Sequence, residues 1–349
     1  MIDPRSPMAD GAAVGGVGTE LAKDTILRVQ DLKKYYPIRG GVFSRVQADV
    51  KAVDGVSFDL KKGETLGLVG ESGCGKSTLG RTLMRLEEPT EGRVLFEGAD
   101  LAHANKKQLF VLRREIQMIF QDPYSSLNPR LPVGDIVREP LDVHAIGTRE
   151  ERQRKVEELC LQVGLKTEVI NRYPHEFSGG QRQRVGIARA LALEPKVIVA
   201  DEPVSALDVS VQAQVINLMV QLQKKLGLTY IFISHDLSVV EYISDSIAIM
   251  YLGRIVEMGA KETIFERPTH PYTRALIASV PNPDPRKRRK QVPIEGETPS
   301  PVNPPRGCAF HPRCPFAEEK CKQARPELEP FAGTPDPRHL VACVRKDEV

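Results

Sequence analysis

This 349-residue chain predicts an α/β domain built on a mainly parallel sheet, and three observations carry that expectation. Short, almost wholly apolar stretches such as Val197-Ile198-Val199-Ala200 and Ile231-Phe232-Ile233 have the length of strands buried on both faces. Segments with apolar residues at helical spacing alternate with them. A glycine-rich loop, Gly70-Glu71-Ser72-Gly73-Cys74-Gly75-Lys76-Ser77-Thr78, stands between a strand pattern and a helix pattern. That is the context in which such a loop holds phosphate.

Residues 1–19 are rich in Gly and Ala and lack a signal-peptide core, so residues 1–24 read as a disordered tail. Residues 25–68 read as strands and turns. Ile26-Leu27-Arg28-Val29, Ala52-Val53, Val56-Ser57-Phe58-Asp59-Leu60 and Thr65-Leu66-Gly67-Leu68-Val69 are the strands, and Lys62-Gly63-Glu64 is a turn. Residues 77–85 have helix-forming composition. From about 123 to 176 the character changes: Asn128-Pro129 and Leu131-Pro132 break the chain, and a charged helix with Val156, Leu159, Cys160 and Val163 on one face follows over 148–163. Residues 181–193 predict a helix, 196–201 a buried strand, and 209–226 an amphipathic helix stopped by Gly227. Strands follow at 229–234 and 246–250. Past Glu266 the chain is Pro-rich, and Arg286-Lys287-Arg288-Arg289-Lys290 reads as a solvated linker. No internal repeat is visible.

Charged residues make up 27% of the chain but the net charge is only +3, so nothing in the composition calls for a nucleic-acid surface. No apolar run approaches the roughly 20 residues needed to cross a bilayer. The expected location is therefore cytosolic, with any membrane role supplied by a partner. Of the six cysteines, Cys74 and Cys160 lie in the main body, whereas Cys308, Cys314, Cys321 and Cys343 gather at the end. Structural disulfides are uncommon in the cytosol, so this group leans toward metal or reduced thiols.

The phosphate loop needs glycine because its backbone must turn tightly and aim successive N–H groups at one anion. The helix that starts near Lys76 adds its positive dipole end. Lys76 would bridge β- and γ-phosphate oxygens, and the Ser77 hydroxyl would ligate Mg²⁺. Cys74 reads as a filler inside the loop, with a redox switch as the other reading. Asp201-Glu202 ends an apolar strand, where parallel sheets place functional groups.

Together with Phe120-Gln121-Asp122-Pro123, Phe177-Ser178-Gly179-Gly180-Gln181, Ser205-Ala206-Leu207-Asp208 and Ile233-Ser234-His235-Asp236, these motifs resemble the nucleotide-binding subunit of ATP-binding-cassette (ABC) proteins. The resemblance covers about 25–258. It implies a RecA-like P-loop NTPase core with an N-terminal antiparallel β subdomain and a helical insert at about 123–180. The cassette would span 25–265, and a small Cys-containing extension would fill 266–349. ATP and Mg²⁺ are the implied ligands. By resemblance Asp201 holds Mg²⁺ through water, Glu202 is the general base, and His235 contacts the γ-phosphate and orients the water. Gln121 is a Mg²⁺-sensing amide where the core meets the insert, so nucleotide state could move the insert as a body. Tyr36 stacks on adenine, with Tyr35 its adjacent competitor. Ser178, Gly179, Gly180, Gln181 and Asp208 would act in trans, completing the ATP site of a second subunit. Small residues suit the Ser-Gly-Gly segment because its backbone approaches a phosphate held by the partner, and the helix expected to open at Gln181 would point at it.

Finer features resemble the oligopeptide and dipeptide permease branch. They are Phe120 through Arg130, Arg172-Tyr173-Pro174-His175-Glu176-Phe177, Thr269-His270-Pro271-Tyr272-Thr273-Arg274-Ala275-Leu276 and the Cys-containing tail. This branch implies an ATPase at the cytoplasmic face of the inner membrane. Its partners would be a second, D-type ATPase subunit, two permease subunits and, indirectly, an extracytoplasmic binding protein. The Tyr124 to Arg130 segment would wall the cleft that takes a permease helix. Importers of nickel, opine or glutathione-type cargo share much of this pattern. A soluble ABC ATPase acting on nucleic acid is disfavoured by the single cassette and the compact insert. The tail spacing Cys308-x5-Cys314-x6-Cys321-x21-Cys343 fits neither standard ferredoxin nor paired zinc-ribbon patterns. Tail cysteines of this branch are associated with a [4Fe–4S] cluster. Zinc, with His311 and His339 as alternative ligands, and unligated thiols are the other readings.

Overall fold

Two sheets organise the computed structural model, which describes residues 22–40, 45–280 and 296–348. In chain order the elements begin with β1 (Thr25–Gly40), β2 (Arg45–Lys61), β3 (Thr65–Val69), α1 (Lys76–Leu83), β4 (Glu91–Phe96), β5 (Ala99–Asp100), α2 (Lys106–Glu115) and β6 (Ile116–Ile119). Then come α3 (Val133–Val143), α4 (Arg149–Gln162), α5 (Gly179–Leu191), β7 (Val197–Asp201), α6 (Val209–Leu226), β8 (Thr229–Ile233), α7 (Leu237–Ile243) and β9 (Ser246–Tyr251). The chain closes with β10 (Arg254–Ala260), α8 (Lys261–Glu266), α9 (Pro271–Ala278), α10 (Glu319–Gln323), β11 (Glu329–Pro330) and β12 (Leu340–Val341).

The smaller sheet has the order β2-β1-β4-β5 and is antiparallel throughout. The two pieces expected around Ala52 and Val56 are one strand. Leu32 pairs with Val56 and Lys33 with Asp54, so Gly55, at φ 82°, is the extra residue of a bulge that periodicity cannot see. The larger sheet runs β11-β12-β10-β9-β3-β8-β7-β6. Its central strands from β9 to β6 are parallel, as the apolar runs imply, and every residue of β3, β7 and β8 is buried.

Helix ends follow local chemistry. Thr148 caps α4 through a reciprocal box with Glu151, and α6 ends at Gly227 in the left-handed region, where a missing Cβ removes the strain. The prolines near 130 conceal α3. Pro132 is its N-cap, a position that needs no helical N–H, and Pro140 sits inside it. The expected opening of α5 at Gln181 is corrected to Gly179, because Ser178 caps the helix two residues earlier. The N-terminal tail of residues 1–19 and the basic run at 286–290 lie outside the described residues. Among the described residues no helix is long and apolar enough to cross a membrane.

Parallel register sets the stage for the site. Leu68 pairs with Ile233, Ile233 with Asp201, and Ala200 with Ile119. The carboxyl ends of β3, β8, β7 and β6 are therefore level, and the residues just past them, Gly70, His235, Glu202 and Gln121, share one edge of the sheet. The C-terminal segment joins the same sheet, with β12 antiparallel to β10. Beside that pairing the fully buried Glu257 carboxylate accepts hydrogen bonds from the amides of Thr269 and His270 and faces His339 Nε2 at 2.8 Å. Both of its buried oxygens thereby have hydrogen-bonding partners.

Candidate active site

The loop from Gly70 to Gly75 runs from β3 into α1. Gly75 has φ 105°, and a Cβ there would lie 1.9 Å from the Ala52 carbonyl oxygen, so both conformation and space demand glycine. Lys76 is only 5% exposed, and its ammonium donates to the carbonyls of Gly70 and Glu71 at 2.8 and 2.9 Å. Cys74 is buried, its Sγ lies 3.7 Å from Lys76 Nζ, and burial pushes its thiol up. A protonated, enclosed thiol suits the filler reading over the redox one. Ser72 and Gly73 are exposed at the loop's crest.

At the end of β7 the Ser77 hydroxyl donates to Asp201 Oδ1 at 2.7 Å. Asp201 Oδ2 is buried without a hydrogen-bond partner among the described residues. Burial raises the Asp201 carboxyl above its usual range, although the Ser77 hydrogen bond opposes the shift. A carboxylate with one satisfied and one orphaned oxygen, next to a hydroxyl, fits a hard divalent cation that would occupy the orphan and favour the charged form. Glu202 follows with φ 44°, a left-handed conformation that a non-glycine residue holds only when its surroundings impose it. Its amide donates to the Ile233 carbonyl at 3.0 Å. Gln121 Nε2 donates to Glu202 Oε2 at 2.9 Å, and His235 Nδ1 lies 3.3 Å from the same oxygen. Three residues from three strand ends thus meet on one carboxylate oxygen, while Gln121 and His235 stay exposed to incoming groups.

The Ser178-Gly179-Gly180-Gln181 segment opens onto solvent at Ser178 and Gln181. Ser178 Oγ accepts from the Gln181 amide, and Gln181 Oε1 accepts from the Ser178 amide. Such a cap is worth about 1 kcal/mol. Gly180 is buried, and a Cβ there would meet Val211 at 2.3 Å, so this glycine also serves contact with α6, a reason the sequence does not reveal. Asp208 is exposed at the start of α6 with no capping hydrogen bond from its side chain, next to Val209, which is 81% exposed. Tyr35 spends its hydroxyl on Asp54, whereas Tyr36 is half-buried with Lys34 Nζ 4.8 Å from its ring centre.

Comparison with known proteins bears on this arrangement. Residues 53–205 match the ABC transporter family, and residues 256–321 match the C-terminal region of oligopeptide/dipeptide transporters. The oligopeptide transport ATP-binding protein AppF of Bacillus subtilis is 57% identical over 93% of this chain and 98% of its own length. The chain belongs to the ABC transporter ATP-binding family. The dipeptide transport ATP-binding protein DppF of Escherichia coli is 53% identical over 93% of this chain and 95% of its own length. Among solved structures, the dimeric MJ0796 cassette bound to ADP and Pi aligns with a TM-score of 0.61 at 30% identity, covering 67% of this chain and 98% of that one. This member of the ABC family is accordingly an ATPase whose hydrolysis is coupled to transport.

The tail cysteines, far apart in sequence, converge: Cys308, Cys314, Cys321 and Cys343 line one cavity with Phe310 and His311. All are free thiols. Burial pushes Cys308 up to about 11 and also raises Cys314 and Cys343. As they stand, among the described residues no group of three or more His, Cys, Asp or Glu side chains is disposed to hold a metal ion. His339, offered by sequence as an alternative zinc ligand, is instead engaged with Glu257.

Sequence reasoning missed the residues that brace the phosphate loop from outside. The Glu71 amide donates to the Tyr272 hydroxyl at 2.9 Å, and the Glu71 carboxylate receives a two-pronged contact from Arg313. Tyr272 stood in a motif that signalled kinship without a role, and Arg313 had no signal at all.

Proposed function

We propose that this cassette powers import of di- and oligopeptides through a membrane permease, with ATP hydrolysed at the edge formed by the ends of β3, β6, β7 and β8. The observation that carries the chemistry is the convergence of Gln121 and His235 on Glu202 beside the Ser77–Asp201 pair. In this reading the loop amides and Lys76 hold the β- and γ-phosphates, with Lys76 leaving the Gly70 and Glu71 carbonyls to do so. Mg²⁺, held by Ser77, Asp201 and Gln121, would neutralise charge on the phosphate oxygens. Glu202 accepts the proton of the attacking water. His235 orients that water and touches the γ-phosphate, and Tyr36 stacks on adenine. The Ser178-Gly179-Gly180-Gln181 helix start, open to solvent at Ser178 and Gln181, and Asp208 face the nucleotide of a second ATPase subunit, a D-type paralogue, so ATP joins two subunits and hydrolysis parts them.

The peptide cargo is supported by the match at 256–321 and by the relatives named above. Tyr124, 62% exposed with the Arg182 guanidinium 3.9 Å from its ring centre, is well set to meet a permease helix at the cytoplasmic membrane face. Uptake of a labelled dipeptide and a labelled pentapeptide into vesicles carrying the assembled transporter should require this chain. Uptake of nickel or glutathione instead, with no peptide transport, would overturn the cargo.

The four tail cysteines are proposed to hold a [4Fe–4S] cluster, with tetrahedral zinc as the second reading. What supports it is the single cavity that all four thiols line, although they are far apart in sequence. Its role would be to staple a Pro-rich segment whose own core is small. Anaerobically purified chain should be brown and contain about four irons. A colourless protein with one zinc would replace the cluster, and neither metal would leave simple thiols.

A further inference from the structure

Glu71 is where the C-terminal segment enters the phosphate loop. Arg313 Nη1 and Nη2 donate to Glu71 Oε2 and Oε1 at 2.8 and 3.1 Å, across 242 residues of sequence. Thr298 Oγ1 donates to Glu71 Oε2 at 2.8 Å and accepts from Arg313 Nη1 at 3.3 Å. The Arg313 side chain is only 8% exposed, and its guanidinium carbon lies 6.0 Å from the centre of the Tyr251 ring. Tyr251 packs in turn against Tyr272 and Phe310, with ring centres 4.7 and 5.4 Å away. Exposed ion pairs contribute little, but a sheltered, two-pronged Arg–carboxylate fork fixes position as well as charge.

Position 71 is thus held on both sides, its amide by Tyr272 and its carboxylate by Arg313 and Thr298. Its carbonyl is one of the two oxygens on which the Lys76 ammonium rests. Whatever fixes Glu71 therefore fixes the first turn of the loop and the starting point of Lys76.

We propose that Arg313 is a positioning residue of the ATP site, and that through its fork on Glu71 the C-terminal extension sets the cassette's affinity for ATP. The inference rests on the reading of Gly70 to Thr78 as the phosphate loop. It makes the extension part of the nucleotide site rather than an appendage to it.

The test measures binding of a fluorescent ATP analogue to the full chain, and KM and kcat for ATP in the assembled transporter. Loss of a charge-assisted fork predicts that Arg313→Ala weakens binding and raises KM by about 10-fold, with kcat changed by less than about 2-fold. Arg313→Lys, a point charge without the fork, should recover affinity to within about 3-fold of wild type. Glu71→Gln should reproduce the loss with little change of shape. The double variant Arg313→Ala/Glu71→Gln should be no weaker than Arg313→Ala alone, because both remove one interaction. Should Arg313→Ala fail to fold, Glu71→Gln and Arg313→Lys carry the test. Unchanged ATP affinity in folded Arg313→Ala or Glu71→Gln overturns the proposal, as does an additive double variant. Lys76→Ala separates the two claims: if it loses ATP while Arg313→Ala does not, only the positioning role falls. If Lys76→Ala binds ATP normally, the loop reading falls and takes this inference with it.

Discussion

Glu202→Gln is expected to lower steady-state ATP hydrolysis by about 1,000-fold, the scale of a lost general base, while ATP still binds. The amide keeps the size of the carboxylate and can still meet Gln121 and His235, so the strained backbone at φ 44° has no new reason to relax. What is lost is the acceptor for the water's proton. Because ATP would remain between subunits, the variant should accumulate as an ATP-bound pair, seen by size-exclusion chromatography coupled to light scattering. Hydrolysis at the wild-type rate would remove Glu202 from the mechanism. A variant unable to bind ATP would show that the residue holds the site together rather than serving the chemistry.

Lys76→Ala should weaken ATP binding by about 10- to 100-fold, since a hydrogen bond to a charged group is worth roughly 1.5–3 kcal/mol. The loop itself should persist. Gly75 keeps its left-handed turn, and Glu71 remains braced by Tyr272 and Arg313, whereas the Lys76 ammonium only rests on two carbonyls already within the loop. Isothermal titration with ATP and with ADP distinguishes this from collapse of the site. A lysine that reaches the γ-phosphate should cost more ATP affinity than ADP affinity, and an equal loss for both would place its contact elsewhere.

The sequence reveals these residues only as far as their signals are local. The phosphate loop, the Asp201-Glu202 strand end and the helix over Val209–Leu226 carry their patterns within a few residues, and the structure shows the elements where those patterns put them. The convergence on Glu202 depends on strand order, because Gln121 and His235 come from strands on either side of β7 and periodicity does not encode which strands are neighbours. The helix α3 was hidden by prolines that stop helices in most settings but are accommodated at its cap and in its interior. Gly180 illustrates a different limit, since a glycine expected to admit a phosphate also has a neighbour, Val211, that leaves no room for a side chain. The brace on Glu71 was least visible, for nothing in Arg313's surroundings in sequence points 242 residues back.

In this mechanism the helix start at Ser178 completes a nucleotide site on another subunit. Its most direct test is photoaffinity labelling with an azido-ATP of the assembled transporter carrying Ser178→Arg in this chain alone. This chain should still take the label at its own loop, while hydrolysis at the partner subunit's site falls by about 100-fold, as when groups that stabilise developing phosphate charge are removed. Loss of the label from this chain itself, or hydrolysis unchanged at both sites, would contradict it.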